Sequence, residues 1–445
     1  MDVSIVNISF PALTQVFQVG PSTVLWVSLA FSLTMTGLML TLGRVADTLG
    51  RKRVYVLGFI IFTLGMAMCA LAQSIGQLIS FRVVQALGGA MLLSTGNAIV
   101  TAAFPPRERG KALGIMGAVV GTGLMSGPAI GGFLVDWLDW RSIFYLRLPV
   151  AAVGSLLSWQ ILKEDFSSVR DSRFDLAGAI TILTGLTSLL FVINQGQTLG
   201  WTSPIILGLS LGSVGLLGLF VVIELRATVP VVDPSLFRHR LFTTANGSAL
   251  FYFTASIFVI FLMPFYLITG LGYSSSQGGL ILTTVPLINA LLAPISGSLS
   301  DRLGSRLLCT GGIALQLVGL LLLTTLSTSA QPFEVMMRLA VVGIGAGLFT
   351  APNNSSIMGS VPRDKLGTGS AMIATTRNVG QAIGLAIAGA VFTGRQSFYQ
   401  STMNPASATA ALVAGIRDAF LVAAAMSFVA MVVSFFGTKT PTHFE

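Results

Sequence analysis

Gly43-Arg44-Val45-Ala46-Asp47-Thr48-Leu49-Gly50-Arg51-Lys52-Arg53 returns, weakened, as Gly297-Ser298-Leu299-Ser300-Asp301-Arg302-Leu303-Gly304-Ser305-Arg306. Gly43, Asp47 and Gly50 fall in one frame with Gly297, Asp301 and Gly304, 254 residues later. Each copy stands between two long apolar runs. A charged loop repeated at that distance in an apolar chain marks a duplicated helical bundle, with the same hinge in each half. Internal repeats of this kind are the plan of a transporter.

Composition supports a membrane chain. Of 445 residues, 53% are hydrophobic and only 9% charged, and the mean hydropathy is +0.84. A soluble domain of this length needs far more charge to cover its surface, so the chain reads as polytopic. The net charge of +9 does not point to nucleic acid, because the basic residues form neither a patch nor a tail but sit in short loops between apolar runs. Cys69 and Cys309 lie inside apolar runs, which argues against a disulfide framework and against a metal site. His239 sits in a basic loop and His443 in the tail, so neither reads as a proton relay. The start, Met1-Asp2-Val3, has no basic leader and no small-residue cleavage site. With no P-loop, triad, Rossmann turn or ligand cluster in view, neither an enzyme nor a cofactor is expected.

A hydrocarbon core of about 30 Å asks for about 20 apolar residues per helix. Runs near 2–17, 22–43, 54–73, 76–104, 112–135, 142–162, 176–195, 203–224, 243–269, 277–299, 307–328, 333–359, 369–393 and 416–437 predict fourteen spans. Eighteen of the 25 basic residues, among them Arg51, Arg107, Arg109, Arg226, Arg306 and Lys439, fall on one side of these spans. That side is expected to be cytoplasmic, and an even span count puts both termini there. The repeat extends beyond the loop. Arg82, Asn97, Pro106 and Arg107 are matched 256 residues on by Arg338, Asn353, Pro362 and Arg363. The predicted division is therefore 1–162 as one six-helix bundle, 163–240 as two inserted spans with their loops, and 241–445 as a second six-helix bundle.

The first run is short. Pro11 corresponds to Pro264, yet ten residues precede it where about twenty precede Pro264. Residues 2–17 reach about 24 Å, less than a bilayer core, so roughly ten to fifteen residues of span 1 are expected upstream of Met1. A short first helix is the other reading.

Charge inside a span is costly and marks function by default. Asp2 is the one acid placed within a span away from its ends, about 13 Å along the helix from Pro11. Arg82 lies about 8–10 Å in from the outer end of span 4, at a similar depth. Burial favours the neutral form of an aspartic acid and a neighbouring arginine its charged form. A carboxyl group balanced between the two can load and release a proton, although a static pair that fixes helix register is the plainer reading. Arg377 sits about ten residues into span 13 with Asn378 and Gln381 nearby, either structural or facing a watery cavity. Span 5 carries Gly117, Gly121, Gly123, Gly127-Pro128 and Gly131-Gly132, a smooth face for close helix approach bent by a proline. That suits a gate or seal, or ordinary small-residue packing. Asp47 can accept hydrogen bonds from Arg51, Arg107 or Arg109, which would latch the cytoplasmic side.

These residues resemble the major facilitator superfamily, and within it the fourteen-span drug:proton antiporter branch. Asp2 through Asn7 to Pro11 is similar to that branch's first-span motif, Gly43–Arg53 to the loop motif between spans 2 and 3, and Arg82–Gly89 (with Gln85) to the span 4 motif. Gly123–Gly132 is similar to the span 5 antiporter motif, and Trp140-Arg141 through Pro149 to the entry of span 6. The resemblance covers the whole chain. It implies an all-α membrane fold, with Asp2 as a proton or cation site, Arg82 as its partner and Gly127-Pro128 as an exchange hinge. Two departures are noted: Arg147 stands where asparagine is usual, and Phe31, five residues after Trp26, replaces a commoner tyrosine. Trp26 and Phe31 are expected near a cavity. The expected protein is a bacterial inner-membrane exporter of small amphipathic substrates, driven by protons and working by alternating access. A dedicated exporter of one metabolite or antibiotic, a lipid translocator, and a non-transporting scaffold or sensor are the alternatives. Substrate identity and any periplasmic adaptor are not legible.

Overall fold

The computed structural model describes residues 2–103, 119, 123, 126–162, 176–226, 234–361, 366–402 and 408–437. The described residues are helical throughout, with short turns between helices. Their order is α1 (Asp2–Ile8), α2 (Phe10–Phe17), α3 (Pro21–Leu49), α4 (Arg51–Ala70) and α5 (Ile75–Ala103). Then come α6 (126–137), α7 (Ser142–Tyr145), α8 (Leu148–Ile161), α9 (Leu176–Leu199) and α10 (Pro204–Arg226). The rest are α11 (Arg240–Pro264), α12 (Ser275–Leu282), α13 (Thr284–Leu303), α14 (Ser305–Leu323), α15 (Pro332–Gly359), α16 (Leu366–Thr402) and α17 (Ala408–Phe435).

Among the described residues, ten helices are long and apolar enough to cross a membrane. Four of the fourteen expected runs are not among these ten. The first is short and breaks at Ser9 into α1 and α2, and much of 112–135 lies outside the described residues. α9 itself runs Leu176–Leu199, and its apolar stretch of fully described residues is Ile180–Gly196. In α16 the polar run Thr375-Thr376-Arg377-Asn378 and Gln381 dilute the hydropathy.

The repeated motif is less of a loop than its charge implies. α3 continues through Gly43, Val45 and Leu49, and only Gly50 breaks the helix, with φ +99°, its N–H donating to the Ala46 carbonyl at 3.0 Å. Gly304 repeats this turn with φ +82°, donating to Ser300 at 2.9 Å. No residue before either glycine stops a helix, and a left-handed φ is what glycine tolerates at little cost. The side chains of Asp47 and Asp301, and residues Arg107 and Arg109, lie outside the described residues, so the expected latch does too.

The chain forms two compact units. One holds residues 12–120 and 137–232; the other holds 1–11, 121–136 and 233–445. In the first, α4 and α5 cross at Gly58, Gly65 and Gly88. A Cβ on Gly65 would strike the Gln85 backbone, and one on Gly88 the Phe62 backbone. In the second, α14 and α15 cross at Gly312, Gly319 and Gly345, where added Cβ atoms would meet backbone at Phe349, Val342 and Gln316. Gly312 and Gly319 lie 254 residues after Gly58 and Gly65. The duplication is thus visible as the same glycine-lined crossing built twice.

α10 is the contrast. Gly208, Gly212, Gly215 and Gly218 have nothing near them, and Leu211 is 76% exposed, as in a helix meant to face lipid. Gly65→Ala and Gly319→Ala are each expected to destabilise by about 1–3 kcal/mol, because backbone cannot move aside as a side-chain tip can. Gly212→Ala is expected to change nothing or stabilise slightly. Thermal unfolding of the detergent-solubilised variants checks both.

Candidate functional site

Arg82 on α5 is fully buried. Its Nε donates to the Val27 carbonyl at 3.1 Å, and its Nη1 donates to Gln85 Oε1 at 2.8 Å. Its guanidinium centre lies 4.1 Å over the Phe31 ring. Residues 82 and 85 are one helical turn apart, so Gln85 meets the arginine from its own helix, while α3 supplies the carbonyl and the ring. The Cys69 thiol on α4 approaches the same Gln85 Oε1 at 3.7 Å. A buried guanidinium requires such a shell. A carbonyl, an amide oxygen and an aromatic face each offset part of the desolvation cost, and the planar fork is held in one orientation.

Phe31 therefore lies against the arginine rather than simply lining open space. Trp26 is placed differently: its Nε1 donates to Asn194 Oδ1 on α9 at 3.0 Å, and its ring lies 5.9 Å from that of Phe191. The sequence reading missed Asn194, although a buried asparagine in an apolar run was the available signal. Arg147 folds onto its own turn, with Nε donating to the Ile143 carbonyl at 2.6 Å.

In the other unit, α1 buries Ile5, Val6, Asn7 and Ile8. The side chain of Asp2 lies outside the described residues. Ser256, which stands 254 residues after Asp2, accepts from Gln316 Nε2 at 2.6 Å, and the Ser427 hydroxyl donates to Gln316 Oε1 at 3.2 Å. Where the first half carries an acid, the second holds a neutral tie between α11, α14 and α17. On α16, Asn378 is buried and Arg377 and Gln381 are half-buried. Among the described residues Arg377 has no hydrogen bond or ion pair. Arg338, the repeat counterpart of Arg82, pairs instead with Glu334 at 3.5 Å near the start of α15.

The glycines of α6 sit at a close crossing. Gly127, Pro128, Gly131 and Gly132 are buried, and Gly123 is half-buried. A Cβ on Gly131 would strike Ile5 and Ile8 of α1, and one on Gly132 the Ser275 carbonyl. From the facing helix, a Cβ on Gly279 would strike the Pro128 carbonyl. α6 thus packs backbone to backbone against α12, a helix that starts 139 residues after Asp136. The contact finishes in hydrogen bonds the sequence reading did not identify. Asp136 Oδ1 accepts from the Ser275 N–H at 2.9 Å, and Oδ2 from the N–H and hydroxyl of Ser276 at 2.6 and 2.5 Å. α12 carries its own capping box, Ser274 with Gln277, so Asp136 is a second cap brought in from elsewhere in the chain. Partial burial raises the Asp136 pKa, and the hydrogen bonds from Ser276 and Ser275 outweigh it, leaving the pKa below 3.8.

With fold and geometry in hand, similarity to known proteins settles the class, a multi-pass membrane carrier. Residues 1–230 and 244–444 match the Major Facilitator Superfamily, and the chain belongs to that family. It is 34% identical to the riboflavin transporter RibZ of Clostridioides difficile over 445 residues, covering 99% of this chain and 95% of that one. It is 33% identical to the multidrug resistance protein Stp of Mycobacterium tuberculosis, covering 91% and 75% of the two chains. The crystal structure of a bacterial homologue of the human lysosomal transporter Spinster matches with a TM-score of 0.67 at 17% identity, covering 98% and 93%. The protein is therefore a membrane transporter acting on small molecules in a lipid bilayer.

The Asp136 cap yields a pH-dependent prediction. A carboxylate whose pKa is lowered on folding contributes stability above its unfolded value and loses it as pH falls through the folded one. Asp136→Asn is expected to cost about 1 kcal/mol near neutral pH. The difference from the parent should narrow as pH falls below the ordinary aspartate value and close only once pH passes below the lowered folded one, where the parent's carboxyl is itself protonated. Paired unfolding curves across pH check this, and a gap that persists in acid would show that charge is not the cause.

Proposed function

We propose that the protein is a proton-coupled exporter of amphipathic small molecules in a bacterial inner membrane, with fourteen spans and both termini cytoplasmic. Two six-helix bundles alternate access to a central cavity, and the two spans between them pack outside. The observation that carries this reading is the Arg82 shell. A buried guanidinium fixed by Val27, Gln85 and Phe31 is a preset cation at the depth expected for Asp2, with Asn7 further along the same span. Asp2 alternates between a bound proton and attraction to Arg82 or a cationic substrate, so the inward proton gradient drives efflux. Pro128 and the α6 glycines form the hinge, and Asp47 with Arg51, Arg107 and Arg109 latches the cytoplasmic side. Trp26, Arg377, Asn378 and Gln381 contribute to recognition or to the frame that holds it.

A second reading, a carrier dedicated to one planar metabolite, draws support from the relative named as a riboflavin transporter, which matches nearly end to end.

Everted vesicles bearing the protein separate these readings when proton movement is followed on adding a panel of drugs and riboflavin. Release of protons by several unrelated compounds is expected, with at least a tenfold loss in Asp2→Asn. Response to a single compound would favour the dedicated carrier. Unchanged flux in Asp2→Asn would remove Asp2 from the coupling.

A further inference from the structure

Arg82 and Arg377 both stand inside long apolar helices, and the fold treats them oppositely. Arg82 is enclosed by a carbonyl, an amide and a ring. Arg377 on α16 is half-buried and, among the described residues, has no hydrogen bond, ion pair or aromatic face. Gln381 lies one turn further along the same helix face, with Asn378 next to the arginine in sequence. Neither of these amides has a hydrogen-bond partner among the described residues, although Asn378 is buried.

The surrounding helices carry no spare counter-charge. α11, α15 and α17 pack on α16. α11 and α16 contain no aspartate or glutamate. The one acid of α15, Glu334, is paired with Arg338, and the one acid of α17, Asp418, is paired with Arg395 and accepts from Tyr399. The orientation of α16 is also fixed on both sides of Arg377. Thr376 Oγ1 donates to Asn246 Oδ1 at 3.1 Å, and the Thr254 hydroxyl donates to the Gly380 carbonyl at 3.1 Å. A Cβ on Gly380 would strike the Leu250 carbonyl. With α16 pinned to α11 in this way, rotation does not relieve the charge. A desolvated cation without a partner costs free energy that an incoming anion recovers, and such a charge within a membrane helix marks a ligand path.

We propose that Arg377 anchors an anionic group on the exported molecule, a carboxylate, sulfonate or phosphate, with Gln381 and Asn378 donating amide N–H groups beside it. A guanidinium fork matches a pair of such oxygens. The inference rests on the export reading above and narrows it: the preferred substrates are amphipathic anions rather than cations.

The test uses the full chain. In everted vesicles, accumulation of 2-naphthoate and cholate is compared with that of their primary amides and of 2-naphthylmethylammonium. The anions are expected to show KM values at least tenfold below those of the matched amides. Arg377→Gln is expected to raise KM for the anions about tenfold and leave the amides unchanged, with Arg377→Lys in between. Thermal unfolding of the ligand-free protein adds a readout that a structural role would not give. Arg377→Gln is expected to unfold at or above the parent's temperature, whereas Arg82→Gln, which empties a built shell, unfolds below it. An Arg377→Gln variant that unfolds well below the parent, or fails to fold, assigns the arginine a structural role and overturns the inference. Equal losses for anions, amides and ammonium in that variant mark a general part in coupling, with Asp2 for example, and overturn it too. An anionic lipid headgroup shares the chemistry, so stabilisation by phosphatidylglycerol is measured alongside; dependence of that effect on Arg377, with no discrimination among the probes, assigns the site to lipid and overturns the inference. If the parent exports compounds of the wider drug panel but neither anion, this inference fails alone. If it exports nothing, the export reading fails with it.

Discussion

Helices in this protein touch through their backbones, and that closeness organises the rest. In a bilayer, apolar side chains gain little by leaving lipid for another helix, so association depends on dispersion contacts at short range. Glycine permits the shortest range. Gly58, Gly65 and Gly88 bring α4 against α5, and Gly312, Gly319 and Gly345 bring α14 against α15. Gly132 and Gly279 bring α6 against α12 in the same manner. Each crossing also places polar groups. Gln85 lies against Gly65 and is thereby set beside Cys69 and Arg82. Asp136 reaches the start of α12 because α6 runs so close to it.

The two halves share this frame and differ in what it carries. Arg82 is buried in a shell of carbonyl, amide and ring, whereas Arg338 forms an ion pair with Glu334 one turn earlier on its own helix. Near the Asp2 frame, the second half has Ser256 tied to Gln316 and Ser427. A neutral network of this kind is inexpensive to keep dry, while a buried cation is held only by strict placement of its partners. Divergence of charge within a conserved packing plan lets one half carry chemistry while both supply the frame. Arg377 and Gln381 give the second half a polar locus of its own, on α16.

Much of this was written in the sequence. Low charge, long apolar runs and the displaced echo of Gly43–Arg53 indicated a duplicated helical membrane protein, and Arg82 stood out as a cation inside an apolar run. The motif's form was less legible, because nothing local shows that α3 stays helical until Gly50. Of the fourteen runs expected from the sequence, ten stand among the described residues as apolar helices of membrane-crossing length, because those runs are long and unbroken.

What the sequence determined by itself is what depends on local composition and spacing: helical class, membrane setting, the repeat and the identity of the buried charge. Tertiary structure alone decided the partners. The sequence does not show that Phe31 and the Val27 carbonyl cradle Arg82, that Trp26 binds Asn194, or that Asp136 caps a helix 139 residues away. Those contacts join residues whose separation along the chain bears no relation to their spacing in space. They follow from which helices cross and at what depth, a property of the packed bundle that no local pattern encodes.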